Sequence, residues 1–339
     1  MMKREAEIVI IGATGLIGET LLQLIAEHPW LKGQLELLGG STTIDEYVDF
    51  GGSTLTVDDA AAYDFKPGQI VISSGDEKVD KGWLEKALDA GCIVLDLGST
   101  LLMEYDLPPV VASVNPGVLE AVVDGGIIAL PGAATVQLTS LLKPIIDLSN
   151  INRVSVVSCH AVSELGRSGV EEMARQTALL LNAKPAGPLT FEKQIAFNLI
   201  PLVGSPLNNG LSDVERRIID DTRQVLGQPQ LDLSVNCCWV PVFFGHSQAI
   251  TLQLETPQTK TRLEKLLTDF PGMFFFNTSD SYPTAVTEAS GKNDLMVGRL
   301  IAGMDDSRNF TLWTVADNLR FGLAGNAVRA VEVLVKDYL

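Results

Sequence analysis

The stretch EIVIIGATGLIGETLLQLI at 7–25 constrains the fold of this chain more than any other. Residues 7–11 form an apolar run of strand length. Leu16, Ile17, Leu21, Leu22, Leu24 and Ile25 then recur at helical spacing. Between them lie Gly12, Gly15 and Gly18. The first glycine permits a tight turn, the second lets the backbone approach a pyrophosphate, and the third lets helix and sheet pack closely. A glycine loop between a strand and a helix, opening a βαβ unit, points to dinucleotide binding at Gly12, Thr14, Gly15, Leu16 and Ile17. The alternative is a turn that keeps the fold without a ligand.

The strand–helix rhythm continues. Residues 34–38, 69–74 and 92–97 read as further strands, and 78–90 reads as a helix. Such alternation predicts a parallel, doubly wound α/β sheet of the Rossmann kind. After about residue 150 the pattern changes. Residues 153–162, 234–245, 248–255, 294–303 and 310–317 read as strands with few helices between them, and 167–182 as a long amphipathic helix. This predicts a second, α+β domain with a mostly antiparallel sheet. The expected boundaries are 1–130 and 131–318, with a terminal helix over 319–339 packing back on the first domain.

The second strand is where a ribose selector belongs. It runs into Gly39-Gly40-Ser41-Thr42-Thr43, with no Asp or Glu for a 2′-hydroxyl and no Arg for a 2′-phosphate. Either the adenosine is held weakly, with Thr42 the nearest hydroxyl, or cofactor choice lies elsewhere. None of the five tyrosines has a lysine four residues on, which excludes short-chain dehydrogenase chemistry.

Composition narrows the partners. The formal net charge of −17 repels phosphate backbones, so nucleic acid is excluded as a partner. No apolar run reaches the ~18–20 residues of a membrane span. Glu5 and Glu7 interrupt the basic start, against a signal peptide. The four cysteines, Cys92, Cys159, Cys237 and Cys238, form no C-x-x-C and are accompanied by three histidines, so no metal site is expected. They read as buried, reduced thiols of a cytoplasmic protein. Cys159 and His160 are strand neighbours, so they point to opposite faces and cannot form a dyad.

A second strand–turn–helix lies at 127–146, IIALPGAATVQLTSLLKPII. The start of that helix directs unpaired N–H groups at residue 133, a position that favours an anion or a nucleophile. The residue there is alanine.

Eight blocks occur in order: GATGLIGETLL, DLGSTLLMEYDLP, VNPGVLE, IIALPGAATVQLTSLLKPI, HAVSELGRSGVEEM, FNLIP, VPVFFGHSQAI and VADNLRFGLAGNAV. By these the chain resembles the aspartate-semialdehyde dehydrogenase family over nearly its whole length, and within it the Usg-type branch that lacks the catalytic cysteine. The resemblance implies NAD(P) as cofactor, a homodimer formed through the second domain's sheet, and a defined reaction. In that reaction a cysteine thiolate displaces phosphate from an aspartyl phosphate, and hydride from NADPH reduces the thioester. A histidine serves as acid/base, and two arginines hold the substrate.

Matched residue by residue, the resemblance puts Ala133 at the nucleophile. Leu102 and Trp239 stand at the two arginines, Val214 at a helical glutamate and Arg217 at its lysine partner, where the positive charge is kept. Ser163-Glu164-Leu165-Gly166 replaces Ser-Gly-Ala-Gly, placing a carboxylate and a leucine where cofactor would pass. His246 matches the acid/base and Gln137 the glutamine after the turn. Ser73 and Gly75 match a cofactor-side loop, and Asn318, with Asp317, the segment facing the nicotinamide. Trp239 either fills the emptied pocket or faces a less polar ligand.

Three functions compete: a catalytically silent relative acting through a protein partner or metabolite not named by the sequence, an NAD(P)-dependent oxidoreductase acting on an aldehyde or oxo group without covalent catalysis, and a true aspartate-semialdehyde dehydrogenase. The joint loss at 102, 133, 214 and 239 favours the first.

Overall fold

The computed structural model describes residues 7–28, 31, 35–75, 81–97, 105, 107–278 and 280–339. Contacts divide the chain into two units. One comprises residues 1–132 with 323–339, and the other residues 133–322.

In the first unit the glycine stretch folds as β1 (Ile8–Ile11), a turn and α1 (Leu16–Glu27). The chain continues through β2 (Leu35–Gly39), β3 (Tyr47–Phe50), β4 (Ser53–Asp59), β5 (Ile70–Ser73), α2 (Gly82–Asp89), β6 (Ile93–Asp96) and β7 (Gly126–Ala129). The first three residues of the expected 78–90 helix lie outside the described residues. The seven strands are ordered β3-β4-β2-β1-β5-β6-β7. Every pair is parallel except β3–β4. β1, β5 and β6 are buried throughout, as unbroken apolar runs covered on both faces require.

The β3–β4 hairpin at the sheet edge has no counterpart in the sequence reading. Its strands, YVDF and STLTVDD, are largely exposed and carry polar residues, so they lack an apolar run that announces a strand. The C-terminal helix, Ala324–Val333, packs on α1. Its buried Asn326 accepts the Ala112 N–H at 2.9 Å and donates to the Val110 carbonyl at 2.8 Å.

The second unit opens with α3 (Ala133–Leu148) and β8 (Ile151–His160), followed by α4 (Gly166–Leu181) and α5 (Asp213–Val225). Then come β9 (Asp232–Trp239), β10 (His246–Leu254), α6 (Lys260–Asp269), β11 (Met273–Phe275), β12 (Leu295–Ala302) and β13 (Asn309–Ala316). The sheet order is β11-β12-β13-β10-β8-β9. The three central pairs are antiparallel, and the two edge pairs, β11–β12 and β8–β9, are parallel.

Even-numbered residues of β10, among them Ile250, Leu252 and Leu254, are buried on the side that carries α3. Odd-numbered residues form the opposite face. There Val157, Ala249 and Trp313 stand in one cross-strand row, and Ser155, Thr251, Thr311 and Ile301 in the next.

Candidate functional site

The glycine loop meets geometric demands from within the first unit. Gly12 has φ +81° and donates its N–H to the Leu38 carbonyl at 2.9 Å. A Cβ at Gly18 would lie 2.4 Å from the Gly12 oxygen, so only glycine fits there. Gly15, at the N-cap of α1, is different. A Cβ there would meet nothing closer than 3.7 Å, so no packing demand inside the loop explains the glycine. Thr14, Leu16 and Ile17 are half-buried around it.

Ser73 ends β5 and its hydroxyl accepts the Gly75 N–H at 3.4 Å. The neighbouring Ser74 hydroxyl reaches the Gly12 carbonyl at 3.2 Å and ties this loop to the glycine loop. Thr42 is exposed in the turn after β2. Leu102 lies outside the described residues.

In the second unit, Ala133 opens α3 and is buried. Its Cβ is pressed against Gly322, where an added Cβ would come within 2.6 Å of it. In the same first turn, the Ala134 carbonyl accepts Gln248 Nε2 at 2.9 Å. Gln137, also buried, donates Nε2 to the Thr314 hydroxyl at 2.8 Å. Two glutamine hydrogen bonds thus fasten the start of α3 to the sheet.

His246 begins β10, two residues before Gln248 on the same face, and is fully buried. Its Nδ1 accepts the Ala161 N–H at 3.1 Å, which places the neutral ring's proton on Nε2. That Nε2 stands 3.4 Å from Glu164 Oε2. Burial lowers the pKa of the His246 imidazole, against the opposing pull of Glu164, so the ring is held neutral. Glu164 Oε2 also makes a close contact with Nδ1 of His160, the last residue of β8. Burial by itself raises the Glu164 carboxyl, but the two histidines hold it well below the usual carboxylate range. The two imidazole rings are 4.7 Å apart.

Trp239 lies across β8 from this cluster, in register with His160 and almost fully buried. Its ring meets His160 edge-on at 6.0 Å and Phe191 edge-on at 5.4 Å. The indole thus sits among apolar and aromatic neighbours. Arg217 and Val214 are half-buried on α5, where burial raises the carboxyl of Asp221, one turn along from Arg217, and Arg217 only partly opposes it.

Asn318 and Asp317 do local structural work. The Asn318 carbonyl oxygen accepts the Gly245 N–H at 2.9 Å, and its amide pairs with the Ser163 hydroxyl at 3.0 Å. Asp317 accepts the N–H groups of Leu319 and Arg320 through Oδ1 and that of Gly291 through Oδ2. These bonds fix the π-helical turn Asn318–Leu323, a winding found often beside functional groups.

Among the cysteines, Cys159 and Cys238 are register partners on the face away from α3, with sulfurs 3.7 Å apart. Hydrogen bonding to Cys159 lowers the Cys238 thiol, and burial raises those of Cys92 and Cys237.

Sequence reasoning placed His246 and Glu164 separately and gave His160 no role. The structure brings all three together. The one signal available beforehand was the i, i+4 spacing of His160 and Glu164, which a strand followed by a single helical turn folds into contact.

Comparison with known proteins agrees over the whole chain. The family model described as semialdehyde dehydrogenase, NAD binding domain, matches residues 7–122. That described as semialdehyde dehydrogenase, dimerisation domain, matches residues 142–321. The chain is 35% identical to aspartate-semialdehyde dehydrogenase 2 of Vibrio cholerae, covering 99% of this chain and 100% of that one. It is 36% identical to a USG-1 protein homolog of Pseudomonas aeruginosa, covering 100% of each. The crystal structure of aspartate semialdehyde dehydrogenase II from Vibrio cholerae, complexed with ASA, superposes with a TM-score of 0.94 at 35% identity, over 99% of this chain and 100% of that one.

Proposed function

From membership of the semialdehyde dehydrogenase family, to which this chain belongs, we propose a USG-type homologue that binds NAD(P) but does not carry out the phosphate-dependent aspartate-semialdehyde reaction. The observation that carries this reading is Ala133. In the family pattern the nucleophilic sulfur stands at this position, at the start of α3. A methyl group cannot form a thioester, and removing a covalent nucleophile costs ~10⁴–10⁶ in rate.

Two further positions support it. Trp239 replaces a substrate arginine with an indole packed against Phe191 and His160. An arginine lost from a carboxylate or phosphate removes charge-assisted bonds worth about 1.5–3 kcal/mol. Glu164 adds a carboxylate 3.4 Å from His246, which repels an anionic substrate.

Nucleotide binding is supported by Gly15, whose missing side chain serves no contact inside the loop. A homodimer belongs to the same reading. The sheet face opposite α3 exposes Val157 and Ile301 beside half-buried Trp313, an apolar patch of the kind a partner covers. A cytoplasmic setting completes it. Calorimetric titration with NADPH and NADH, run beside an assay of phosphate-dependent aspartate-semialdehyde oxidation, tests the two halves separately. Binding without turnover is expected.

A further inference from the structure

His160, Glu164 and His246 come from the end of β8, the single helical turn after it and the start of β10. One imidazole nitrogen from each histidine and one carboxylate oxygen all lie within 4.8 Å of one another. No other three His, Cys, Asp or Glu side chains among the described residues converge in this way. Both histidines are fully buried, and the Glu164 side chain is 25% exposed.

The contacts within the cluster leave it incomplete as a hydrogen-bond network. His246 Nε2 is buried and makes no hydrogen bond, although Glu164 Oε2 is only 3.4 Å away. His160 Nε2 is also buried without a partner, but it is the other nitrogen of the ring from the Nδ1 that meets Glu164. Buried polar atoms seldom stay unpaired, and an ion is one of the groups that satisfies them. Ligand atoms around a tetrahedral Zn²⁺, bonded at ~2.1 Å, stand ~3.4 Å from one another. The His246–Glu164 separation already has that length. The closer His160–Glu164 contact opens by rotation of the partly exposed carboxylate.

We propose that His160, Glu164 and His246 bind a divalent transition-metal cation of the Zn²⁺ class, with water completing the coordination. Two imidazoles and one carboxylate suit Zn²⁺ and its neighbours, whereas Mg²⁺ and Ca²⁺ take oxygen ligands. The single carboxylate leaves the bound site with one net positive charge, so it also offers an anion a partner that the metal-free cluster lacks. The site needs nothing from outside the second unit, and it stands or falls independently of the proposed loss of semialdehyde chemistry.

Binding has a specific cost, which gives it a signature. His246 Nε2 gives its proton to the solvent and Nδ1 takes one up from it, so the ring stays neutral, presents a lone pair at Nε2 and carries its proton on Nδ1. That nitrogen now accepts the Ala161 N–H at 3.1 Å, so this hydrogen bond breaks when metal binds. Metal uptake therefore switches the His246 tautomer and shifts the Ala161 amide.

The test uses the full chain stripped with a chelator and titrated with Zn²⁺ or Co²⁺ alone. The expected result is one ion per chain, tetrahedral Co²⁺ absorption, and binding weakened more than about tenfold in Glu164→Gln and in His160→Asn. Asp220→Asn, on the surface of α5, should bind as the wild type does. If a variant fails to fold, ¹⁵N histidine NMR of the wild type decides, with the His246 proton moving from Nε2 to Nδ1 as Zn²⁺ is added. Absence of saturable one-to-one binding, equal affinity in folded Glu164→Gln, or an unchanged His246 tautomer would overturn the proposal.

Discussion

Oε2 of Glu164 stands 3.4 Å from Nε2 of His246, while the opposite nitrogen of the same ring accepts the Ala161 N–H at 3.1 Å. Nδ1 is thus occupied, and the ring's proton sits on Nε2 beside the carboxylate. A general base must turn a free lone pair toward its substrate, and neither nitrogen of His246 does so in this arrangement.

On the proposed reading, a sulfur placed at residue 133 does not by itself make a working nucleophile. Ala133→Cys should give a thiol that reacts slowly with iodoacetamide at neutral pH, because no base is free to take its proton. Adding Glu164→Gly removes the carboxylate that favours the Nε2 proton, lets the ring adopt the tautomer with a free Nε2 lone pair, and should raise the alkylation rate at pH 7 by at least about tenfold over the single variant. Equal rates in the two variants would show that Glu164 does not restrain the histidine.

The glycine loop separates a folding requirement from a ligand requirement. Gly18→Ala forces a Cβ to within 2.4 Å of the Gly12 oxygen and should cost more than ~2 kcal/mol in denaturant unfolding. Gly15→Ala places its Cβ at ordinary contact distance and should cost less than ~1 kcal/mol. It should nevertheless weaken NAD(P)H binding at least about tenfold, since the added methyl occupies the path of the pyrophosphate. Unchanged affinity in Gly15→Ala would make the loop a structural turn.

Substituting Trp239 tests whether its indole fills core or faces an open pocket. With 7% of its surface exposed and its ring against Phe191 and His160, Trp239→Ala should lose ~3–5 kcal/mol. Trp239→Phe should lose clearly less. A near-neutral Trp239→Ala would point to a pocket that tolerates emptying.

Asp221 gives stability a pH dependence of identifiable sign. Burial, with Asp220 adding to it and Arg217 opposing, raises this carboxyl to about 7. Between about pH 4 and pH 7 the folded chain keeps a proton that the unfolded chain gives up. The stabilisation is therefore complete at the acid end of that window and is lost as pH rises through it. Asp221→Asn stays neutral at every pH. It should flatten the slope and stabilise the protein at pH 8 by about 1–4 kcal/mol, as read from Tm across the range.

Most of the fold was legible because its signals are local. β1, β5 and β6 are unbroken apolar runs of strand length, and α1 keeps one apolar face. The exposed β3–β4 hairpin was missed because it buries little, so its sequence carries no apolar period. β11 was missed because three residues are too few to show one. The C-terminal helix was read as uniform, yet it winds with i, i+5 spacing at Asn318–Leu323 and again at Leu334–Tyr338, a difference that side-chain periodicity does not register. The start of α3 at Ala133 was legible from the strand, Pro131-Gly132 turn and helical apolar spacing of 127–146. The His160–Glu164–His246 cluster was not, because His246 is 82 residues from Glu164 in sequence and meets it only through the pairing of β10 with β8.

The central claim is that a family scaffold persists here without the family's covalent reaction. The most direct measurement is NADPH formation from aspartate semialdehyde, phosphate and NADP by the wild-type chain, at enzyme concentrations high enough to see one turnover. The account predicts no burst and no rate above the enzyme-free control, with NADPH binding detectable in the same preparation. A burst equal to the enzyme concentration, or steady turnover that survives Ala133→Gly, would contradict it.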